Sequence, residues 1–407
     1  MGEGRVSSTN GKAVHLPQGV CFLLPKGAKA VKDGGDRERL FHLSALTNFM
    51  KEDYFDKATT YGSLRRGLNR CCRNVRWKDS VVGYELHAPQ NTHGLLEDIR
   101  NGKYKISPYQ HFMIYEPKQR EIVATRIRDR QVQMALCKGG LYQDFVEHFI
   151  HDNCACQVGK GTDFALNRLK THLHQYYREH GAEGWVLQCD VKRFFPSTRH
   201  DVAKAAVEKR ISDVKARQFV FDVIDSFEGD VGIGLGSQIS QLVELSVLDD
   251  MDHYIKEELK IKQYIRYMDD VRLIHESKDY LLYCWQKIAE HLASIHLELN
   301  SKTCIHPLRQ GIKFLQWRLI LTDSGKVIMK MSQKKVYREK QRLRKLLKKE
   351  VNGELPVGTA DCSFISWESN ALRGNTYCQR QSVKHYYERK KEEIYGNGKG
   401  KTSEDGA

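Results

Sequence analysis

Two adjacent carboxylates, Asp269 and Asp270, follow Tyr267 and Met268 where two strand-like runs meet. Gln263–Tyr267 leads in and Val271–His275 leads out, both rich in β-branched and aromatic residues, so the pattern predicts a β-hairpin with the acids at its tip. Like charges side by side repel, and a cation between them is the cheapest compensation. Hard oxygen ligands of this kind suit Mg²⁺, with Mn²⁺ as the alternative. An Asp-Asp pair by itself is usually a solvated turn. A third carboxylate changes the weighing: Asp190 closes another strand-like run, Gly184–Val191. Alone, Asp190 reads more simply as a turn or capping residue. Together, three carboxylates can hold two divalent cations, enough to activate a hydroxyl and stabilise a pyrophosphate leaving group by in-line displacement.

The elements between these residues must bring them together. Helical spacing of apolar residues predicts helices at Leu40–Phe49, Tyr61–Arg73, Val132–His148, Arg199–Glu208, Val214–Phe227 and Tyr280–Ala293. Ser240–Leu259 reads as one long helix with Leu242, Leu245, Leu248, Met251 and Ile255 on one side, and Ile295–Leu299 alternates as a strand. Gly232–Gly236 is a glycine loop. Strand, helices, hairpin, helix, strand in that order packs as an antiparallel sheet with helices on one face, an α+β fold in which Asp190 lies beside the hairpin tip.

The 407 residues are enough for two or three subdomains around a large core. Sixty-six basic residues against fifty-one acidic ones leave a net charge of +15, an excess that points to a polyanion partner, nucleic acid above all. No apolar run has the length of a membrane span and Val20–Leu24 is too short for a signal segment, so the expectation is a cytoplasmic protein without membrane contact. Eleven cysteines lack zinc-finger or disulfide spacing and read as reduced thiols. Residues 396–407 read as a disordered tail. Lys334–Lys349 holds nine Lys or Arg and one acid, Glu339, around a narrow stripe of Val336, Leu343 and Leu347.

An ordered series of motifs resembles the reverse transcriptases of bacterial retroelement and defence systems. Asp190-x-x-x-Phe194-Phe195 resembles the first palm motif of that family, Gly236-Ser237-Gln238-Ile239-Ser240-Gln241 the second, and Tyr267–Asp270 the third. Leu297-x-Leu299-Asn300-x-Lys302-Thr303 resembles the fourth, and Phe314-Leu315-Gln316-Trp317 the primer-grip hairpin. Upstream, Lys118-x-Arg120-x-Ile122, Arg128-Asp129-Arg130-x-x-Gln133 and Cys156-Gln157-x-Gly159-Lys160-Gly161-Thr162 resemble the fingers blocks.

The resemblance implies a right-hand polymerase: an N-terminal extension (1–100), fingers (101–183), a palm with an antiparallel sheet (184–322), a basic helical thumb (323–395) and the tail. It implies RNA-directed DNA synthesis from dNTPs on an RNA template, a cognate non-coding RNA, extending a DNA or RNA primer into cDNA, with room for an accessory protein. Asp190 and Asp269, with the Val191 carbonyl, would bind both metals, and Asp270 would assist. Phe195 would be the ring that excludes a 2′-hydroxyl. Lys118 and Arg120 would grip the triphosphate, Gly236 would let backbone approach the incoming base pair, and Gln241 would open a helix beneath the template. Lys302 would protonate the leaving pyrophosphate. Ser240-Gln241, in place of the commoner Ser-Pro, fits the variant of diversity-generating retroelements, while Gly234 and Gln316 depart from the usual pattern. Antiviral defence stays open beside diversification. Two other readings compete: a degenerate fold serving only to bind RNA, against which all three carboxylates are present, and an RNA-dependent RNA polymerase, against which stand Met268 and Phe195.

Overall fold

The computed structural model describes residues 54–115 and 119–398. The helix expected at Leu40–Phe49, Lys118 and residues 399–407 of the expected tail lie outside them, while residues 396–398 of that tail continue the helix Tyr377–Gly398. Among the described residues the strands form three antiparallel sheets. β1 (Gln110–Ile114) and β2 (Arg120–Ala124) pair as a hairpin. β3 (Trp185–Asp190), β4 (Gln263–Tyr267), β5 (Asp270–His275) and β6 (Cys304–Pro307) form a four-stranded sheet in the order β4-β5-β3-β6. β7 (Ile312–Phe314), β8 (Trp317–Leu321) and β9 (Val327–Met331) make the third.

Alternation along β3 sorts its side chains into two cores. Leu187 and Cys189 pack with the helices His200–Glu208, Val214–Asp225, Gln238–Val247 and Lys278–Ser294. Val186, with Ile274 and Ile265, packs instead with the helix Thr162–His180 and with β7–β9. The sheet is therefore covered on both faces, where helices on one face alone were expected. The basic stretch is the helix Gln333–Val351; its stripe, Val336, Leu343 and Leu347, is buried against the helices Thr359–Ala371 and Tyr377–Gly398. No described helix is long and apolar enough to cross a membrane, and the ten described cysteines are free thiols.

Three other expectations need correction. Ile295–Leu299 is not a strand. Its backbone N–H groups are spent closing the end of the preceding helix, Ile295 and Leu297 donating to Leu292 and His296 to Ala293. Only an isolated bridge joins Leu299 to Val191, and the strand beside β3 is β6. The single helix expected over Ser240–Leu259 breaks at Leu248 into Gln238–Val247, Asp249–His253 and a π-helical turn, Tyr254–Glu258. The break lets two buried acids reach distant cations: Asp249 pairs with Arg210 at 2.7 Å and Asp252 with Arg266 at 2.6 Å. The helix expected over Val132–His148 is likewise interrupted by a π-helical turn at Cys137–Leu141.

Asp152 ties several of these elements together. Its buried carboxylate accepts from Arg168 and, at 2.9 Å, from His172 on the helix Thr162–His180, and pairs with Lys256 at 2.7 Å. Its backbone carbonyl accepts from the Arg266 N–H, and Cys154 N–H donates to the Arg266 carbonyl, so the segment runs along β4. Burial alone would raise the Asp152 pKa, but the His172 and Arg168 hydrogen bonds carry it well below the usual carboxylate range. A depressed folded pKa gives stability that is present above the unfolded value, about 3.9, and is lost as pH falls through and below it. Thermal melting across pH should therefore show Asp152→Asn destabilised by on the order of 3 kcal/mol near neutral pH. The gap from the natural chain should narrow steadily in acid; a gap independent of pH would contradict this.

Candidate active site

Tyr267 and Asp270 face each other across β4 and β5, leaving Met268 and Asp269 as a two-residue turn. In the neighbouring register Asp190, the last residue of β3, lies directly opposite Asp270. The topology thus places all three acids at one edge of the sheet. Asp190 is further held by Asn300, whose side chain donates to its carboxylate at 3.0 Å and whose backbone N–H donates to its carbonyl at 2.7 Å.

The turn is built on a buried ion pair. Met268 adopts a left-handed backbone conformation (φ 57°), unfavourable for a side chain of its size. Arg266, fully buried, donates to the Met268 carbonyl at 3.0 Å, forks onto both oxygens of Asp252 at 2.7 and 2.6 Å, and reaches the Leu245 carbonyl at 3.0 Å. Tyr264 also donates to Asp252. The guanidinium is desolvated, yet the Asp252 charge and hydrogen bonds outweigh that and keep it protonated.

Arg272 performs a second linkage. It pairs with Asp270 and donates from two nitrogens to the Lys313 carbonyl of β7, at 3.0 and 2.6 Å. Its guanidinium lies 5.5 Å from the centre of the Phe314 ring. The carboxylate edge and the β7–β8 hairpin are therefore fastened through one side chain. The hairpin turns at Leu315 and Gln316, both left-handed.

Electrostatics at the edge follow from burial and crowding. Burial, then the charges of Asp190 and Asp270, push the Asp269 carboxyl up to about 6, while Arg120 pulls the other way. Burial also raises Asp270, against the pull of Arg272. Beneath them Glu244 is fully buried; burial holds its carboxyl well above the usual range, Thr198 donates to one oxygen at 3.0 Å, and the Asp269 charge adds to the upward shift.

Most of the residues singled out from sequence gather around this edge. Val191 follows Asp190, and its N–H donates to the Asp269 carbonyl at 3.4 Å. Phe194 and Phe195 are both buried, ring centres 5.8 Å apart, with Phe195 the more exposed of the two. The Phe195 carbonyl accepts from Ile233 in the glycine loop, and Leu235 in that loop accepts from Val123 of β2. The strand bearing Arg120 is thereby laid against the loop. Gly236 is required there for a reason nearer than a base pair: a Cβ on it would lie 2.4 Å from the Val123 carbonyl oxygen. Gln241 does not open its helix, which starts at Gln238 behind the cap Ser237; it lies one turn in, half-buried. Lys302 is exposed, its N–H donating to Asn300 at 3.1 Å. Lys118 lies outside the described residues. Sequence reasoning gave no role to Asn300, Arg266, Asp252, Arg272 or Glu244. The usable signals were charged residues inside otherwise apolar runs, Arg266 and Arg272 in strands and Glu244 in a helix.

Among the described residues no three His, Cys, Asp or Glu side chains close into a ready-made metal site. Asp270 is turned onto Arg272, whereas neither Asp190 nor Asp269 has an ion-pair partner among the described residues. Two carboxylates with an adjacent backbone carbonyl still fit Mg²⁺, which keeps several waters and is completed by substrate phosphates instead of a closed protein cage.

No family model matches the chain. Protein YkfC of Escherichia coli (strain K12) is 24% identical over 176 residues, which are 40% of this chain and 45% of YkfC, so the match spans less than half of that relative. Among solved structures, apo telomerase from Candida tropicalis is similar with a TM-score of 0.47 and 10% identity, covering 76% of this chain and 66% of that one. Telomerase from Candida albicans in complex with the TWJ fragment of telomeric RNA gives 0.43 and 9%, covering 72% and 62%.

Two outcomes are expected. Arg266→Met leaves Asp252 buried and unpaired and should cost on the order of 3–5 kcal/mol in urea denaturation, with Arg266→Met/Asp252→Leu recovering most of it; a single variant as stable as the natural chain contradicts the anchor. In metal-free buffer, a carboxyl raised in the folded state carries a penalty once ionised, so Asp269→Asn should raise Tm near neutral pH. That gain should vanish below about pH 4, where both states are protonated.

Proposed function

We propose that the protein is an RNA-directed DNA polymerase. The observation that carries the reading is the placement of Asp190 opposite Asp270, with Asp269 on the adjoining turn. Three acids at the ends of neighbouring strands, one of them raised by burial and by the charges of the others, make a place where positive charge is wanted and phosphate chemistry follows. Asp190 and Asp269, with the Val191 carbonyl, would hold two Mg²⁺ ions, Mn²⁺ being able to replace them, and Asp270 supports them. Such cations, when bound, activate the primer 3′-hydroxyl and neutralise charge on the leaving pyrophosphate.

The chain's own groups do the rest. Arg120, whose charge is felt at Asp269, binds the triphosphate together with Lys118. The Phe195 ring beside the glycine loop excludes a ribose 2′-hydroxyl and so selects dNTPs. The loop at Gly236 and the side chain of Gln241 face the templating pair, and Lys302 supplies a proton to pyrophosphate. The β7–β8 hairpin, fastened by Arg272, holds the primer end. The basic helix Gln333–Val351 tracks the phosphates of the RNA–DNA duplex. On this reading the fingers, palm and thumb are residues 101–183, 184–322 and 323–395, preceded by an extension that meets the cognate RNA. The setting is a bacterial diversity-generating or antiviral system in the cytoplasm; the Ser240-Gln241 pair favours diversification.

Purified protein given a primed RNA template, Mg²⁺ and dNTPs should extend the primer, and Asp269→Ala should slow extension by roughly three orders of magnitude. Phe195→Ala should raise rNTP incorporation relative to dNTP by roughly 10–100-fold. Extension with rNTPs alone contradicts the assignment, and binding of RNA without extension would leave a non-catalytic RNA-binding module.

A further inference from the structure

Away from the carboxylate edge, a cleft of about 240 Å³ opens between the helix Tyr61–Cys71 and the π-helical turn Cys137–Leu141. Its charged lining is Lys57, Arg66, Arg70 and Lys138, with no acidic residue. Among the described residues none of the four has a carboxylate partner. The acid next to Lys57 in sequence, Asp56, is turned onto Lys215 at 2.6 Å. Arg66 is steered by Ser63, which accepts from it at 2.9 Å and itself donates to the Lys57 carbonyl at 3.1 Å.

The convergence depends on close backbone packing. A Cβ on Gly139 would lie 2.4 Å from the Ala58 Cβ, and one on Gly67 would lie 2.7 Å from the Gln131 carbonyl oxygen. Two glycines thus let three elements approach until four cations share one cleft. Like charges gathered without a counter-charge raise the energy of the folded chain, and an anion seated among them removes that cost. Guanidinium forks at Arg66 and Arg70, one helical turn apart, suit phosphate oxygens. The loop leaving the same helix carries Trp77, 76% exposed, with the Lys78 ammonium 5.2 Å from its ring centre, an aromatic face on which a base can stack.

We propose that this cleft is a phosphate-binding site that takes the backbone of an RNA strand at a distance from the polymerising centre. The choice of RNA over a free anion rests on the polymerase reading; the anion site itself does not. The test uses the full chain and an unprimed RNA hairpin, so that binding is read without catalysis. Affinity is measured against salt for the natural chain, for Arg66→Gln/Arg70→Gln, and for a control of equal charge loss, Lys204→Gln/Lys287→Gln. Thermal melting verifies that each is folded, and inorganic pyrophosphate is titrated in parallel. The cleft variant should bind RNA roughly tenfold more weakly near 0.1 M salt, with the slope of log K against log salt shallower by about 1.5, while the control stays close to the natural chain. Equal losses in both variants overturn the proposal. So does a cleft variant that loses pyrophosphate but keeps RNA, which would mark a small-anion site. Failure of primer extension with this RNA result intact would remove the polymerase reading and leave the cleft.

Discussion

The carboxylate edge depends on a charge pair that no solvent reaches. Arg266 and Asp252 are both fully buried, and an ion pair so placed contributes little net stability compared with apolar residues of the same size. Its value is in direction. One guanidinium nitrogen is left to hold the Met268 carbonyl, and with it a turn whose backbone is held in a left-handed conformation. The turn sets Asp269 next to Asp270, which lies opposite Asp190. Asp252 reaches Arg266 from the short helix that follows the break at Leu248.

Single arginines recur as links between elements. Arg272 joins Asp270 to β7, Arg168 joins the Thr162–His180 helix to Asp152, and through the Asp152 backbone that helix meets Arg266. Such a network keeps like-charged acids at fixed separation, since charge that is already oriented costs no rearrangement when a ligand arrives.

Much of this was legible in the chain. The hairpin at Tyr267–Asp270, the strand ending at Asp190 and the basic helix after residue 333 announce themselves through local composition and periodicity, and they are where those signals put them. What was not legible depends on partners far away in sequence. Ile295–Leu299 alternates like a strand, yet its N–H groups close a helix. Gly236 looked like room for a ligand, and the structure shows it making room for Val123. Arg266 stands out as a charge in an apolar strand and Asn300 does not stand out at all; only the fold shows that they hold Met268 and Asp190.

The central claim is that Asp190 and Asp269 hold the cations of a DNA-synthesising centre. The most direct measurement is a structure of the protein with an RNA template, a DNA primer, a non-hydrolysable dNTP and Mn²⁺, the metal located by its anomalous scattering. The account predicts Mn²⁺ between the carboxylates of Asp190 and Asp269, with the triphosphate on it and the primer end beside the β7–β8 hairpin. A bound duplex whose metal and nucleotide lie away from those two carboxylates would contradict it.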